Sequence, residues 1–165
     1  MLDCLPERVD PLGLADVGRS FRGTAAIERL DRLAPLLASR QGELAVHLEF
    51  GLDERRIRAL RGSIQGTVTL VCQRCLKGLS FPINLRFCLG IVSSEGEIDR
   101  LPEGYEPLLV SGEPIRTLDV IEDEVLLAIP AIPLHEQSGS CKIGYQSSTL
   151  PERESPFAVL KKLKS

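Results

Sequence analysis

The sharpest chemical feature of this chain is a pair of cysteines three residues apart, in the run Cys72-Gln-Arg-Cys75-Leu-Lys-Gly78. Two thiolates at that spacing can face one Zn²⁺, with sulfurs about 2.3 Å from the metal, and tetrahedral closure then asks for two more nitrogen or sulfur ligands. The remaining donors of the right type are Cys4, Cys88, Cys141, His47 and His135. The flanking residues read as the two arms of an antiparallel hairpin with the cysteines at its tip. Cys88 then sits far down the return strand, roughly 30 Å from the tip at about 3.4 Å per residue. His47 falls on the polar side of another alternating run, where exposure explains it. His135 and Cys141 lie in one segment after a proline-stopped helix and are free to reach the tip. The expected ligand set is Cys72, Cys75, His135 and Cys141, holding one structural zinc. The competing reading is packed thiols without metal, since free cysteine is among the most buried residue types. A redox role fits less well, because a redox CxxC normally opens a helix whose dipole lowers the thiol pKa.

Arginines form the second constellation. Arg55, Arg56, Arg58 and Arg61, with Arg74, Lys77 and Arg86, make the middle of the chain basic. On a shared face they would neutralise RNA phosphates; the favoured alternative is a solvated strand edge, where charge blocks edge-to-edge pairing. A third group, Asp119, Glu122, Asp123 and Glu124, is explained by the electrostatics of a helix N-terminus, with Asp119 as cap and Glu122 as its capping-box partner. That leaves no convergent carboxylate pair for acid–base work. No nucleophile–histidine pattern and no glycine-rich phosphate loop is present, so the residues offer no case for an enzyme.

The elements that position these groups follow from periodicity. Residues 1–23, rich in proline and glycine, read as an extended arm. Thr24 with Ile27, Leu30, Leu33 and Leu37 predicts a helix over 25–38. Alternation predicts strands from Leu44 to Phe50, from Ile57 to Leu60, from Ile64 to Cys72 and from Leu79 to Ile91, with Gly62-Ser63 as a turn between two of them. Residues 93–106 read as an acidic mobile loop, 105–110 as a short strand and 119–129 as a helix ended by Pro130. Residues 155–165 read as a basic tail, a short amphipathic helix. The expected fold is a single α+β domain, a mostly antiparallel, partly curled sheet or open barrel with two or three covering helices.

Composition limits the function. The chain has 165 residues, 26% charged, with a net charge of −3 and only 4% aromatic residues. A base-stacking sheet needs exposed rings, so an RNA reader of that kind is excluded. The average also hides asymmetry: residues 40–90 carry eight cations against four anions, and residues 91–136 carry two against eleven. A two-sided adaptor fits that division. No apolar run is long enough to cross a membrane, and MLDCLPERVDP lacks a leader pattern, so a cytoplasmic protein without disulfides is expected.

Residues 67–76 (TVTLVCQRCL) and 119–135 (DVIEDEVLLAIPAIPLH) resemble the two signature segments of the bacterial YceD family. Tyr105-Glu-Pro-Leu108, Asp10-Pro11 and the tail from Ser155 to Lys161 are similar as well, though the family commonly has Asn where this chain has Ser155. The resemblance implies a cytoplasmic, non-catalytic factor supporting synthesis, processing or stability of 23S ribosomal RNA, with ribosomal RNA or a large-subunit precursor as partner, directly or through a ribosomal protein. It implies neither a membrane nor a small-molecule substrate. Members with more cysteines in the region matching His135–Cys141 look like zinc binders; here His135 replaces a thiol. The alternatives are a zinc-stapled protein-interaction module without an RNA role, or an RNA-processing hydrolase.

Overall fold

A computed structural model describes residues 5–135 together with Cys141. Its centre is a set of long antiparallel strands: β4 (Glu43–Leu52), β5 (Arg58–Val71) and β6 (Gly78–Val92). Each alternates apolar and polar residues, so one side of the sheet buries Leu44, Val46, Leu48, Leu60, Ile64 and Ile83 while the other stays polar. β2 (Ser20–Ala26) pairs antiparallel with β4, and β7 (Glu106–Leu109) adds parallel to β6, giving the order β2-β4-β5-β6-β7. A three-residue strand, β3 (Leu37–Ser39), pairs with the far end of β5. A two-stranded ribbon, β1 (Arg8–Val9) with β8 (Ile115–Arg116), stands apart. The expected α+β class holds, and the sheet is open rather than closed into a barrel.

The helix expected over 25–38 is absent. β2 continues to Ala26 because its backbone is committed to the β4 ladder, and two 3₁₀ turns follow at Ile27–Arg29 and Ala34–Leu36. Ile27, Leu30 and Leu33 are fully buried at intervals of three, the repeat of a 3₁₀ turn rather than of an α-helix. The arm reading of 1–23 gives way over 11–17, where helix α1 (Pro11–Val17) starts with proline and stops at Gly18, left-handed at φ 67°, the usual asymmetry of helix ends. Gly62-Ser63 is not a turn. It lies inside β5, and the Phe87 ring covers Gly62 so closely that a Cβ there would come within 2.0 Å of it. Residues 93–106 carry a one-turn helix, α2 (Glu95–Ile98), and Tyr105 donates its hydroxyl to Asp53 at 2.9 Å. The tail at 155–165 and Cys4 lie outside the described residues.

Helix α3 (Thr117–Ala128) contributes Val120, Ile121 and Val125 to the core. It begins two residues before the expected cap, so Asp119 sits in its first turn and pairs with Arg116 at 3.3 Å. Glu122 is not a capping-box partner either. Its buried carboxylate reaches 90 residues back, accepting the Arg32 N–H at 2.7 Å, the Leu33 N–H at 3.1 Å and the Arg32 Nε at 3.2 Å. The loop between the two 3₁₀ turns is thereby clasped to α3, which satisfies amides that a helix would have satisfied itself.

Candidate metal centre

β5 and β6 are joined by six residues, 72–77, that form a tight knuckle. The Cys72 N–H donates to the Lys77 carbonyl and the Leu76 N–H to the Cys72 carbonyl, both at 2.9 Å. Leu76 adopts the left-handed φ of 57° that the turn demands. After α3, Pro130 ends the helix, and the extended segment that follows docks on the knuckle through the Gln73 N–H on the Pro133 carbonyl at 2.9 Å. That contact delivers His135.

Four ligand atoms converge there. The Cys72 and Cys141 sulfurs are 3.6 Å apart, as are those of Cys75 and Cys141. His135 Nδ1 lies 3.6 Å from Cys75 Sγ and 3.1 Å from Cys141 Sγ. All four donor atoms fall within 4.8 Å of one another. A tetrahedron with metal–sulfur bonds of about 2.3 Å and a metal–nitrogen bond of about 2.0 Å requires edges of about 3.8 Å and 3.5 Å, so the residues fit a metal ion. His135 Nε2 faces the Gly78 carbonyl at 3.3 Å. A proton placed on Nε2 to make that bond leaves the Nδ1 lone pair facing the sulfurs, the orienting arrangement usual for a histidine ligand.

The electrostatics match the geometry. Burial pushes the Cys72 thiol up, but the backbone N–H groups of Cys75, Arg74 and His135 directed at its sulfur outweigh that and bring it down to about 5. Cys141 is pushed up to about 11 by burial and by the adjacent Cys75 and Cys72 sulfurs. Three sulfurs packed this closely do not all ionise without a cation among them. Cys72 and Cys141 are buried, and with four protein donors no position is open to substrate, the layout of a structural rather than a catalytic centre.

The other expected groups are placed differently. Cys88 stands opposite Arg61 on β6, away from the knuckle. His47 is half-buried, with its Nε2 3.4 Å from a Glu49 carboxylate oxygen. The seven basic residues do not form one patch. Arg55 and Arg56 lie in the β4–β5 turn, where the N–H groups of Arg55 and Ile57 bond Asp53. Arg58 is held by Asp16 at 2.7 and 3.1 Å. Arg74 and Lys77 occupy the knuckle at the opposite end of β5, roughly 45 Å away at about 3.4 Å per residue. Arg61 and Arg86 lie between, facing Cys88 and Ser63 across the ladder. In the acidic group, Asp123 pairs with Arg32 at 2.7 Å. Glu124 points the other way, into an open cavity of about 390 Å³ shared with Arg86, Cys88 and Glu106. It carries no hydrogen bond or ion pair among the described residues, and burial together with Glu106 and Asp123 raises it to about 7.

Fold and cluster together define an open-sheet α+β protein whose longest hairpin is tied to the segment after α3 by a closed Cys₃His constellation. The chain belongs to the YceD family: a family model described as large ribosomal RNA subunit accumulation protein YceD matches residues 60–164, the stretch holding all four donors and Glu122. A Haemophilus influenzae protein named large ribosomal RNA subunit accumulation protein YceD is 34% identical over 97% of this chain and 96% of its own length. No solved structure matches, and no helix is long and apolar enough to cross a membrane.

Proposed function

We propose that this chain is a non-catalytic ribosome-biogenesis factor that acts in the cytoplasm to support accumulation of 23S ribosomal RNA. Its partner is ribosomal RNA or a large-subunit precursor, met directly or through a ribosomal protein. One structural Zn²⁺, held by Cys72, Cys75 and Cys141 as thiolates and by His135 as neutral imidazole, supplies the positive charge that the crowded sulfurs require. The observation that carries the reading is positional. The two segments that carry the resemblance to the family, 67–76 and 119–135, are the two that the knuckle brings into contact through Gln73 and Pro133, and the relative matched over nearly its whole length bears an rRNA-accumulation name. Of the acidic group a hydrolase reading would draw on, Asp119, Glu122 and Asp123 are engaged by Arg116 and Arg32, which leaves Glu124 as the member without an ion pair among the described residues. A protein-interaction module is favoured by one feature: Leu76 and Ile132 stand largely exposed on the two segments that the knuckle joins.

The test is depletion of the protein in its own host, followed by quantification of mature and precursor 23S relative to 16S rRNA and of ribosomal subunits on gradients. A fall in 23S and in free large subunits, restored by the wild-type chain, is expected. Unchanged ratios would contradict the proposal.

A further inference from the structure

The polar side of the sheet has a content that only its register makes visible. Arg22 on β2 pairs with His47 on β4, His47 with Ser63 on β5, and Ser63 with Arg86 on β6. These four residues form one row across four strands, roughly 14 Å long at about 4.8 Å per strand. The next row sets Glu49 and Arg61 beside Cys88, and the row on the other side sets Thr24 and Gln65 in line with Asn84. Arg22, Arg61, Arg86, Gln65, Asn84 and Thr24 are all exposed.

The face is bounded, and no phenylalanine stands on it. At the Cys88 end Leu101 lies over Gly90, and Tyr105 reaches Asp53, which closes that edge. Phe21, Phe81 and Phe87 pack against the core on the opposite side. Two acids, Glu43 and Glu49, share the face, Glu49 beside His47, and at the Arg86 edge Glu106 and Glu124 line the cavity that Arg86 also borders. Among the described residues, no carboxylate lies within ion-pair distance of Arg22, Arg61 or Arg86.

Three guanidinium groups without a carboxylate in ion-pair reach, Arg61 lying against the Tyr105 hydroxyl and Cys88, with amides and hydroxyls between them, suit the sugar–phosphate backbone of RNA, where arginine meets phosphate and amides meet phosphate or 2′-hydroxyl oxygens. We propose that this face docks large-subunit RNA through its backbone, without base stacking, using Arg22, Arg61 and Arg86 on phosphates. The inference rests on the rRNA reading above and gives that reading a surface.

The experiment measures affinity of the full chain for a labelled 23S rRNA transcript as a function of salt. Three phosphate contacts give a log–log slope of about −2 to −3, since each contributes about 0.7 to 0.9. The paired substitution Arg22→Gln with Arg86→Gln is expected to flatten that slope by about 1.5 and to weaken binding at least about tenfold at low salt. Arg55→Gln with Arg56→Gln, in the β4–β5 turn, is expected to leave both unchanged. Equal urea midpoints for all proteins establish that folding is intact. Undiminished binding by the Arg22/Arg86 variant overturns the proposal, as does wild-type protein that binds no RNA. In either case a depletion phenotype leaves the biogenesis reading standing, whereas RNA binding without that phenotype removes the reading and keeps the surface.

Discussion

Replacing Glu122 by alanine removes one carboxylate that holds two distant parts of the chain together. Glu122 accepts the Arg32 and Leu33 backbone N–H groups and the Arg32 side chain, at 2.7 to 3.2 Å. The carboxylate is buried, and Leu33 is fully so. Removing a charge-assisted acceptor costs about 1.5–3 kcal/mol, and stranding the Leu33 donor away from water adds about 1–3 kcal/mol. Partial rehydration at the more exposed Arg32 offsets some of this, leaving an expected loss of about 3–4 kcal/mol. For a chain of this length that lowers Tm by about 10 °C. Glu122→Gln keeps an oxygen for the amides but turns an N–H toward the Arg32 guanidinium, so an intermediate loss of about 1–2 kcal/mol is expected. Urea titration gives the free energies, and hydrogen exchange at the Arg32 and Leu33 amides localises the effect. An alanine variant within about 0.5 kcal/mol of wild type, or unchanged protection of those two amides, would refute the clasp.

Two further outcomes follow from buried features. Glu124 is shifted from 4.5 to about 7, so its neutral form is favoured on folding; the stability this gives is full below about pH 4.5 and lost as pH rises through 7. The full shift corresponds to about 3 kcal/mol, reduced to about 1–2 kcal/mol by solvent reaching the open cavity. Glu124→Gln is therefore expected to stabilise the protein at pH 8 and to flatten the pH dependence of the urea midpoint between pH 4.5 and 7. No gain at pH 8 would count against it. Gly62→Ala, which places a methyl against the Phe87 ring, is expected to cost about 1–3 kcal/mol through overpacking. Restoration by Phe87→Leu in a double-mutant cycle would confirm the contact, and strict additivity would deny it.

The Cys₃His cluster was legible in the sequence because strand geometry is rigid. Once Leu70 to Cys72 and Leu79 onward alternate, the tip between them must present Cys72 and Cys75, and Cys88 must fall far down the strand. A proline-stopped helix leaves His135 and Cys141, in one segment after it, well placed to return. What escaped notice depended on partners distant in sequence. Ile27, Leu30 and Leu33 at intervals of three mimic an amphipathic helix, and only the β2–β4 ladder and the reach of Glu122 across 90 residues make that stretch extended and then 3₁₀. Gly62 reads as a turn until Phe87 is known to lie over it. The Arg22–His47–Ser63–Arg86 row had a signal, since Arg22 and His47 occupy polar positions of alternating runs, but joining them requires register, which alternation alone does not supply.

The role proposed for the Cys₃His cluster is that of a closed structural zinc site tying the hairpin to the segment after α3. Its most direct measurement is native mass spectrometry, with elemental analysis, of the full chain purified without added metal. One zinc per wild-type chain is expected, lost on acidification or in Cys72→Ser, with a lowered Tm but a retained sheet signal because most of the core lies elsewhere in the fold. A wild-type chain that carries no metal and takes up none on titration with zinc, while keeping the same Tm as Cys72→Ser, would contradict it.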